Sequence, residues 1–326
     1  MNYHLTPQSF DSLASLWRDP RHNLDWSSVF ILPCWQEAWW QEFGDSAEQY
    51  LYAIKGPESV IGVAPLLVRS NSAFFIGSAD VCDYMDFVVA PGSERAFFTT
   101  LLDKLRQDGI RELHLDSLRG DSTVLRSLIH VAREQGSIVS CHQQDVSLDL
   151  DLPAVWEDYL GMLTPKQRRE IQRKLRRLDE AGTVEYNTIS TQEDVIATMD
   201  VFLKLLRESR KDKAAFMTDR MESFFRSIAS VMSRAGLVQL GVLTVNRLPV
   251  AAVLCFDYND TMYLYNSGYD PLHSYLSVGV LSKVLSIKNS IEESRSTYDF
   301  LKGAEEYKYH LGGREIPIYS CRITIT

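Results

Sequence analysis

No run in this 326-residue sequence approaches the roughly 18–20 uninterrupted apolar residues that cross a bilayer, so no membrane span is expected. Met1 to Phe10 has neither a basic stretch nor an apolar core, so no secretory leader is expected and a cytoplasmic location follows. Cysteine is scarce. Cys34, Cys82, Cys141, Cys255 and Cys321 are odd in number, scattered and without CxxC spacing. That argues against a disulfide framework or a structural zinc site and for a reducing compartment. The seven histidines never stand at metal-ligand spacing on one helix, so no metal centre is expected. The GxSxG, Walker A and Rossmann fingerprints are missing too, which removes the usual hydrolase and nucleotide-binding readings. Positive charge is also short. The net charge is −9, from 43 acids and 34 bases, which argues against general nucleic-acid binding.

What remains is an ordinary globular composition, 45% hydrophobic and 24% charged. The length suggests about two domains. Residues 1–150 carry 20 acids against 11 bases, whereas 151–326 carry 23 of each, so an acidic half precedes a balanced one. The first 45 residues look helical, with Trp35, Trp39 and Phe43 on one stripe and Gly44 as a stop. Short strands and helices then interleave up to an edge-like strand at Val146 to Leu150. Asp151-Leu152-Pro153 marks a boundary, giving domains 1–152 and 153–326. Thr164-Pro165 starts a helix carrying seven bases between Lys166 and Arg177. The second half then reads strand, two helices joined by a polar loop at 210–218, three antiparallel strands, helix, strand, a short irregular stretch and a final strand from Ile316.

That order is the topology of the Gcn5-related N-acetyltransferase (GNAT) fold, and particular segments carry the likeness further. They are Pro33-Cys34-Trp35 through Phe43-Gly44, Gly77 to Phe87, Arg168 to Gly182, Arg207 to Phe216, Gly268-Tyr269-Asp270, Ser277-Val278-Gly279 and Asp299 to Lys308. The last reads DFLKGAEEYK and fits the pattern DFLRGxExYK. On these residues the chain resembles the CelD/BioF2-like bacterial acyltransferases, distant relatives of the Fem peptidyltransferases. It departs from them in reading LSVG where SPG is usual, and in lacking a glycine after the lysine of the 210–216 loop. The resemblance implies an α/β (α+β) fold of tandem GNAT-like domains, each a mostly antiparallel sheet flanked by helices. It implies an N-acyltransferase that moves an acyl group, acetyl by preference, from acyl-CoA to an amine of a polar, sugar-linked metabolite. A role in polysaccharide or cell-envelope synthesis follows from family association alone. The alternatives are a Fem-type transferase using aminoacyl-tRNA and a non-catalytic ligand-binding relative.

A thioester donor is already activated, so such an enzyme needs a phosphate site, a polarised carbonyl and a neutral amine. Ser277, Val278 and Gly279, opening a helix, are the candidate phosphate site, since helix N-termini favour anions; a plain helix start is the other reading. Tyr263 and Tyr265, alternating with Ser267 along a strand, face a cleft as acceptor contact or acid, or simply pack. Asp299, Glu305, Tyr307 and Lys308 follow the next strand. There Lys302 or Lys308 would meet phosphate and Glu305 would act as base or orient Tyr307; the alternative is a salt-bridged turn. Asp80, Asp83 and Asp86 form a DxxDxxD run around Tyr84, either an acceptor site with Asp83 as base or a solvated acidic loop. The Fem-like resemblance sets this run by a cleft between the halves. Arg207, with Arg210 and Lys211, either covers substrate or caps a helix end. The basic helix is a solvated face, an anionic-acceptor site or, least in keeping with the acidic chain, a nucleic-acid surface.

Overall fold

The computed structural model describes residues 3–57 and 59–326, which form two units. The first runs to Val146 and includes Ile316–Thr326; the second is Ser147–Glu315. The first unit opens with strand β1 (His4–Pro7), where the sequence suggested helix. Helix α1 (Phe10–Arg18) starts at a reciprocal capping box between Ser9 and Ser12. Helix α2 (Pro33–Phe43) begins on a proline and buries Trp35 and Trp39, the expected stripe. It stops at Gly44, where a Cβ would lie 2.6 Å from the Trp40 ring. Strands β2 (Glu48–Lys55), β3 (Val60–Arg69) and β4 (Ser72–Phe75) form an antiparallel meander, and β5 (Val88–Val89) pairs with β3. Helix α3 (Glu94–Gln107) buries Phe97, Phe98, Leu101, Leu102 and Leu105, one continuous apolar face. It crosses to β6 (Glu112–Arg119), which lies parallel to β4. A π-helical stretch over 124–128 precedes α4 (Ile129–Glu134) and then β7 (Ile138–Asp151), longer than the edge strand expected.

The second unit continues with α5 (Trp156–Met162) and α6 (Pro165–Asp179), the basic helix, capped by Thr164 and Gln167. Ile171 and Leu178 turn inward from α6, while Arg169, Arg173 and Arg176 are exposed. Strand β8 (Val184–Ile189) follows, then α7 (Gln192–Ser209). The expected polar loop at 210–218 contains a short helix, α8 (Lys211–Phe216). Then come α9 (Asp219–Arg234), β9 (Val238–Val245), β10 (Leu248–Tyr258), β11 (Thr261–Tyr269) and a 3-10 turn over 271–276. Helix α10 (Val278–Glu292), β12 (Thr297–Lys302) and α11 (Glu306–His310) complete the unit. The last strand, β13 (Arg314–Thr324), leaves the unit after Glu315 and pairs antiparallel with β6 of the first. The division therefore falls at 146/147 rather than 152/153, and residues 316–326 return to the first unit.

Each unit repeats one plan: three antiparallel strands, a helix, a parallel strand and a further antiparallel neighbour. In the second the sheet order is 147–151 of β7, then β12, β11, β10, β9 and β8, with β11 and β12 the parallel pair. The 147–151 segment of β7 stands at the end of that unit's sheet, paired antiparallel with β12. Strand β11 rests directly on α7, because at Gly268 a Cβ would lie 2.2 Å from the Leu206 backbone nitrogen. Only glycine permits that approach, which sets the end of α7 and the start of α8 against the strand.

The cysteine reading is corrected here. Cys141 on β7 and Cys321 on β13, separated by 180 residues, form a disulfide with Cα atoms 4.1 Å apart. Spacing along the chain could not reveal it, because strand neighbourhood alone brings the two together. Cys34, Cys82 and Cys255 are not disulfide-bonded. Among the described residues no helix is long and apolar enough to cross a membrane, and no cluster of His, Cys, Asp and Glu could hold a metal ion. Cys141→Ser is expected to lower the stability of the oxidised protein by about 2–4 kcal/mol, the usual result of opening a long cross-linked loop. Urea unfolding with and without reductant measures it; identical midpoints for all four samples would show that the bond contributes nothing.

Candidate functional site

Strands β11 and β12 pair only over Thr261–Tyr263 and Thr297–Asp299. Just past that pairing β11 is irregular. Its register with β10 shifts between Leu254 and Cys255, leaving Tyr265 as an extra residue opposite the pair. The bulge breaks the alternation assumed from the sequence. Tyr263 is buried and Tyr265 sits against the rings of Phe225 and Phe256, whereas Ser267 and Tyr269 line a cavity of ≈ 390 Å³. The cavity lies where the strands have stopped pairing, and α8, the start of α10, Glu305 and Tyr307 supply the rest of its wall.

The start of α10 is unusual. Ser277 adopts a left-handed conformation (φ 60°) and makes no side-chain cap. The backbone amides of Val280 and Leu281 both donate to its carbonyl. Ser277, Gly279 and Val280 line the cavity, while the side chain of Val278 is buried in the core. Gly279 is needed for packing: a Cβ there would lie 2.7 Å from the Tyr269 ring. That contact holds the tyrosine flat against the helix, so the helix start stays open to the cavity.

The DFLKGAEEYK segment divides by role. Asp299 is buried, and its carboxylate accepts the Leu301 amide at 2.7 Å, supporting the positive φ of Leu301 (62°). Lys308 is 2% exposed. Its ammonium donates to the carbonyls of Leu301, Lys302 and Gly303 at 3.0, 2.6 and 2.9 Å and pairs with Glu305 at 2.8 Å. Lys308 therefore ties the chain after β12 into a loop instead of reaching a ligand. Gly303 (φ 101°) leaves room for that loop, since a Cβ would lie 2.6 Å from the Glu305 carboxylate. Glu305 and Tyr307 face the cavity, Glu305 as the only acid among its lining residues. Burial pushes the Tyr307 hydroxyl up, which keeps it a neutral donor.

Two cavity lysines escaped the sequence reading. Lys283, one turn into α10, is buried; its ammonium donates to the Gly279 carbonyl at 2.6 Å and lies 4.9 Å from the centre of the Tyr307 ring. Burial, with Lys213 nearby, pushes its pKa down to about 7. Half-buried Lys213 of α8 donates to Asn266 Oδ1 at 3.0 Å and to the Ser267 carbonyl at 2.5 Å. Burial, with Arg210 beside it, lowers Lys213 to about 8. The signal for Lys283 was present, a lone lysine on a helix face of Val278, Leu281, Val284 and Ile287, all buried. Lys213 left no such signal, because the loop that holds it is polar throughout.

The other expected site residues are not among those that line this cavity. Arg207 pairs with Glu222, which also binds Arg226. Asp83, Tyr84 and Asp86 belong to the first unit, whereas the cavity is lined entirely by the second. Tyr84 is buried beneath the Arg119 guanidinium, 4.9 Å from the ring centre. Asp86 accepts the Phe87 amide at 2.8 Å and both the amide and hydroxyl of Thr123 at 2.7 and 2.6 Å. Desolvation nevertheless pushes it up to about 6.

A meander, a crossover helix, a parallel strand that stops pairing, and a cavity at that helix start together make a GNAT-type fold. Residues 165–309, within the second unit, match the family model described as the acetyltransferase (GNAT) domain. No curated protein matches the sequence. In fold the whole chain is similar to FemX, with a TM-score of 0.68 at 10% identity over 98% of this chain and 96% of that one. A tandem GNAT protein of the clavulanic acid biosynthesis pathway gives 0.52 at 12% identity over 98% of each chain. The C-terminal domain of a putative lysylphosphatidylglycerol synthetase from Agrobacterium fabrum gives 0.54 at 10% identity over 81% of this chain and 80% of that one.

Proposed function

We propose that this protein is an N-acyltransferase that takes an acyl group, acetyl by preference, from acyl-CoA and transfers it to the amine of a polar, sugar-linked metabolite. The carrying observation is the cavity at the start of α10, inside the GNAT-matching segment, where three bases face one carboxylate. The bases and the helix start suit the donor's phosphates. Glu305 suits the proton of the incoming ammonium. The neutral amine would attack the thioester carbonyl, forming a C–N bond as the C–S bond breaks. Glu305 takes the ammonium proton before attack, and the proton that the nitrogen loses after attack passes to the sulfur, which leaves as thiol. Tyr307, held neutral by burial, is a hydroxyl donor on the cavity wall for that sulfur.

Calorimetry and thermal melts with acetyl-CoA test the donor. Expected are micromolar binding and a rise of several degrees in melting temperature at saturating ligand, because a ligand that binds only the native state stabilises it. No heat and no shift would overturn the acyl-CoA reading. Binding of aminoacyl-tRNA in its place, weakening steeply with salt, would establish the Fem-type alternative.

A further inference from the structure

We infer that Lys213 and Lys283, with Arg210 beside them, form a seat for an anionic oxygen group, a phosphate or carboxylate, of the ligand that enters this cavity. The inference rests on the cavity being the substrate site, as proposed above, and it does not depend on which ligand carries the anion.

Buried lysines ordinarily face an anion, because an unpaired desolvated charge is costly. Lys283 is 7% exposed, yet its ammonium meets only a backbone carbonyl and an aromatic face. Lys213 meets only an amide oxygen and a backbone carbonyl. Neither has an ion-pair partner among the described residues. Glu305, the single acid on the wall, is held by Lys308. Arg210 spends part of its charge on Asp212, at 2.9 and 2.8 Å. A helix-internal cap on the Gly279 carbonyl would account for a hydrogen-bond donor at Lys283. It would not account for a second cation on the same cavity, within electrostatic reach. The hydroxyls of Ser209, Ser274 and Ser277 line the same space and add donors.

The charged and titratable groups around the pair oppose one another. Lys283 faces Lys213, the Cys255 thiol of β10, Glu305 and Lys308; Lys213 faces Arg210, Glu305, Asp212 and Lys308. Burial leads the causes for both lysines, so at pH 8.5 Lys283 is mostly neutral and Lys213 largely so. An arriving anion favours the charged forms and draws protons onto the pair. Binding at pH 8.5 is therefore accompanied by uptake of about one proton or more.

The test is calorimetry at pH 8.5 in two buffers of different ionisation enthalpy, on the full chain. The probes are inorganic pyrophosphate, coenzyme A and succinate. Lys213→Met and Lys283→Met are each expected to weaken the bound probe at least ~10-fold, the worth of a charge-assisted hydrogen bond, and to lower proton uptake to what the remaining lysine supplies. Lys288→Met is the control, because that exposed lysine pairs with Glu292 at 3.8 Å on α10; it leaves binding unchanged. Lysine-dependent binding of pyrophosphate and coenzyme A assigns the anion to the donor phosphates; lysine-dependent succinate binding assigns it to an acceptor carboxylate. Lysine-dependent binding of pyrophosphate or succinate without coenzyme A sustains the seat and removes the acyl-CoA reading. Coenzyme A binding that both variants keep, without proton uptake, overturns the seat and leaves that reading intact. Failure of all three probes to bind also overturns the seat. Folding is checked separately. Lys283→Met removes an uncompensated buried charge, so its melting temperature rises. Because the native lysine titrates near 7 rather than its ordinary 10.5, the gain is full below pH 7 and fades as pH rises towards 10.

Discussion

Replacing Lys308 with methionine is expected to destabilise the second unit by about 3–5 kcal/mol, the cost of removing one partner from a buried charged network. The substitution keeps most of the side chain's volume, so the cavity term is small. What is lost is the donor set. The carbonyls of Leu301, Lys302 and Gly303 converge on one ammonium, and Glu305 pairs with the same atom. Methionine offers those carbonyls no donor, and each unmet buried acceptor costs about 1–3 kcal/mol before water relieves some of it. The loop also carries Leu301 at φ 62° and Gly303 at φ 101°, conformations kept by the bonds around them. Lys308→Arg should recover only part of the loss, because a planar fork does not reproduce three converging bonds from one nitrogen. Urea unfolding followed by tryptophan fluorescence measures both variants. A change under about 1 kcal/mol in Lys308→Met would show that the loop holds itself without the ammonium.

Glu305→Gln is expected to behave differently, keeping the fold and losing the chemistry. Glutamine retains an oxygen for the Lys308 ammonium, and the side chain of Glu305 is 47% exposed, so stability changes little. As the only carboxylate among the residues that line the cavity, however, Glu305 is the proposed acceptor of the amine proton. General-base catalysis contributes typically about 10²–10⁴-fold, and the turnover number should fall by that factor with the donor's KM little changed. Thiol release from acetyl-CoA, measured against a panel of amino sugars at pH 7 to 9.5, reads the effect. The deficit should shrink as rising pH supplies acceptor amine already deprotonated. A variant within about threefold of wild type at every pH would remove Glu305 from the chemistry and leave the lysines as the remaining cavity bases.

The two variants separate roles that one motif joins. Residues Asp299 to Lys308 were legible in the sequence as a unit, and both readings offered for them apply to different members. Lys308 pairs with Glu305 in a salt-bridged turn and Asp299 braces it at the Leu301 amide; Glu305 and Tyr307 also face the cavity. Sequence pattern cannot divide them, because the division depends on which side chains turn under the loop and which turn out. The same holds for Gly279, a glycine expected to admit phosphate, whose immediate neighbour is the ring of Tyr269. Tyr263 and Tyr265 follow the packing alternative, and only their facing was out of reach of the sequence. A one-residue bulge reverses every side chain beyond it, and nothing in a run of alternating residues announces one.

By itself the sequence determined the short-range features and the order of elements. Helices start at Pro33, Thr164 and Thr218 because capping hydroxyls and N1 prolines act within one turn, and the alternation of strands and helices follows from periodicities that need no partner. That order was enough to expect tandem GNAT-like units and a site near the helix start at Ser277. Tertiary structure alone decided where the chain divides, that Cys141 meets Cys321, and that Lys213 and Lys283 share one cavity. The physical reason is common to all three. Pairing, disulfide reach and desolvation depend on which distant segments become neighbours, and a lysine's charge is set by the solvent it loses rather than by the residues beside it in sequence.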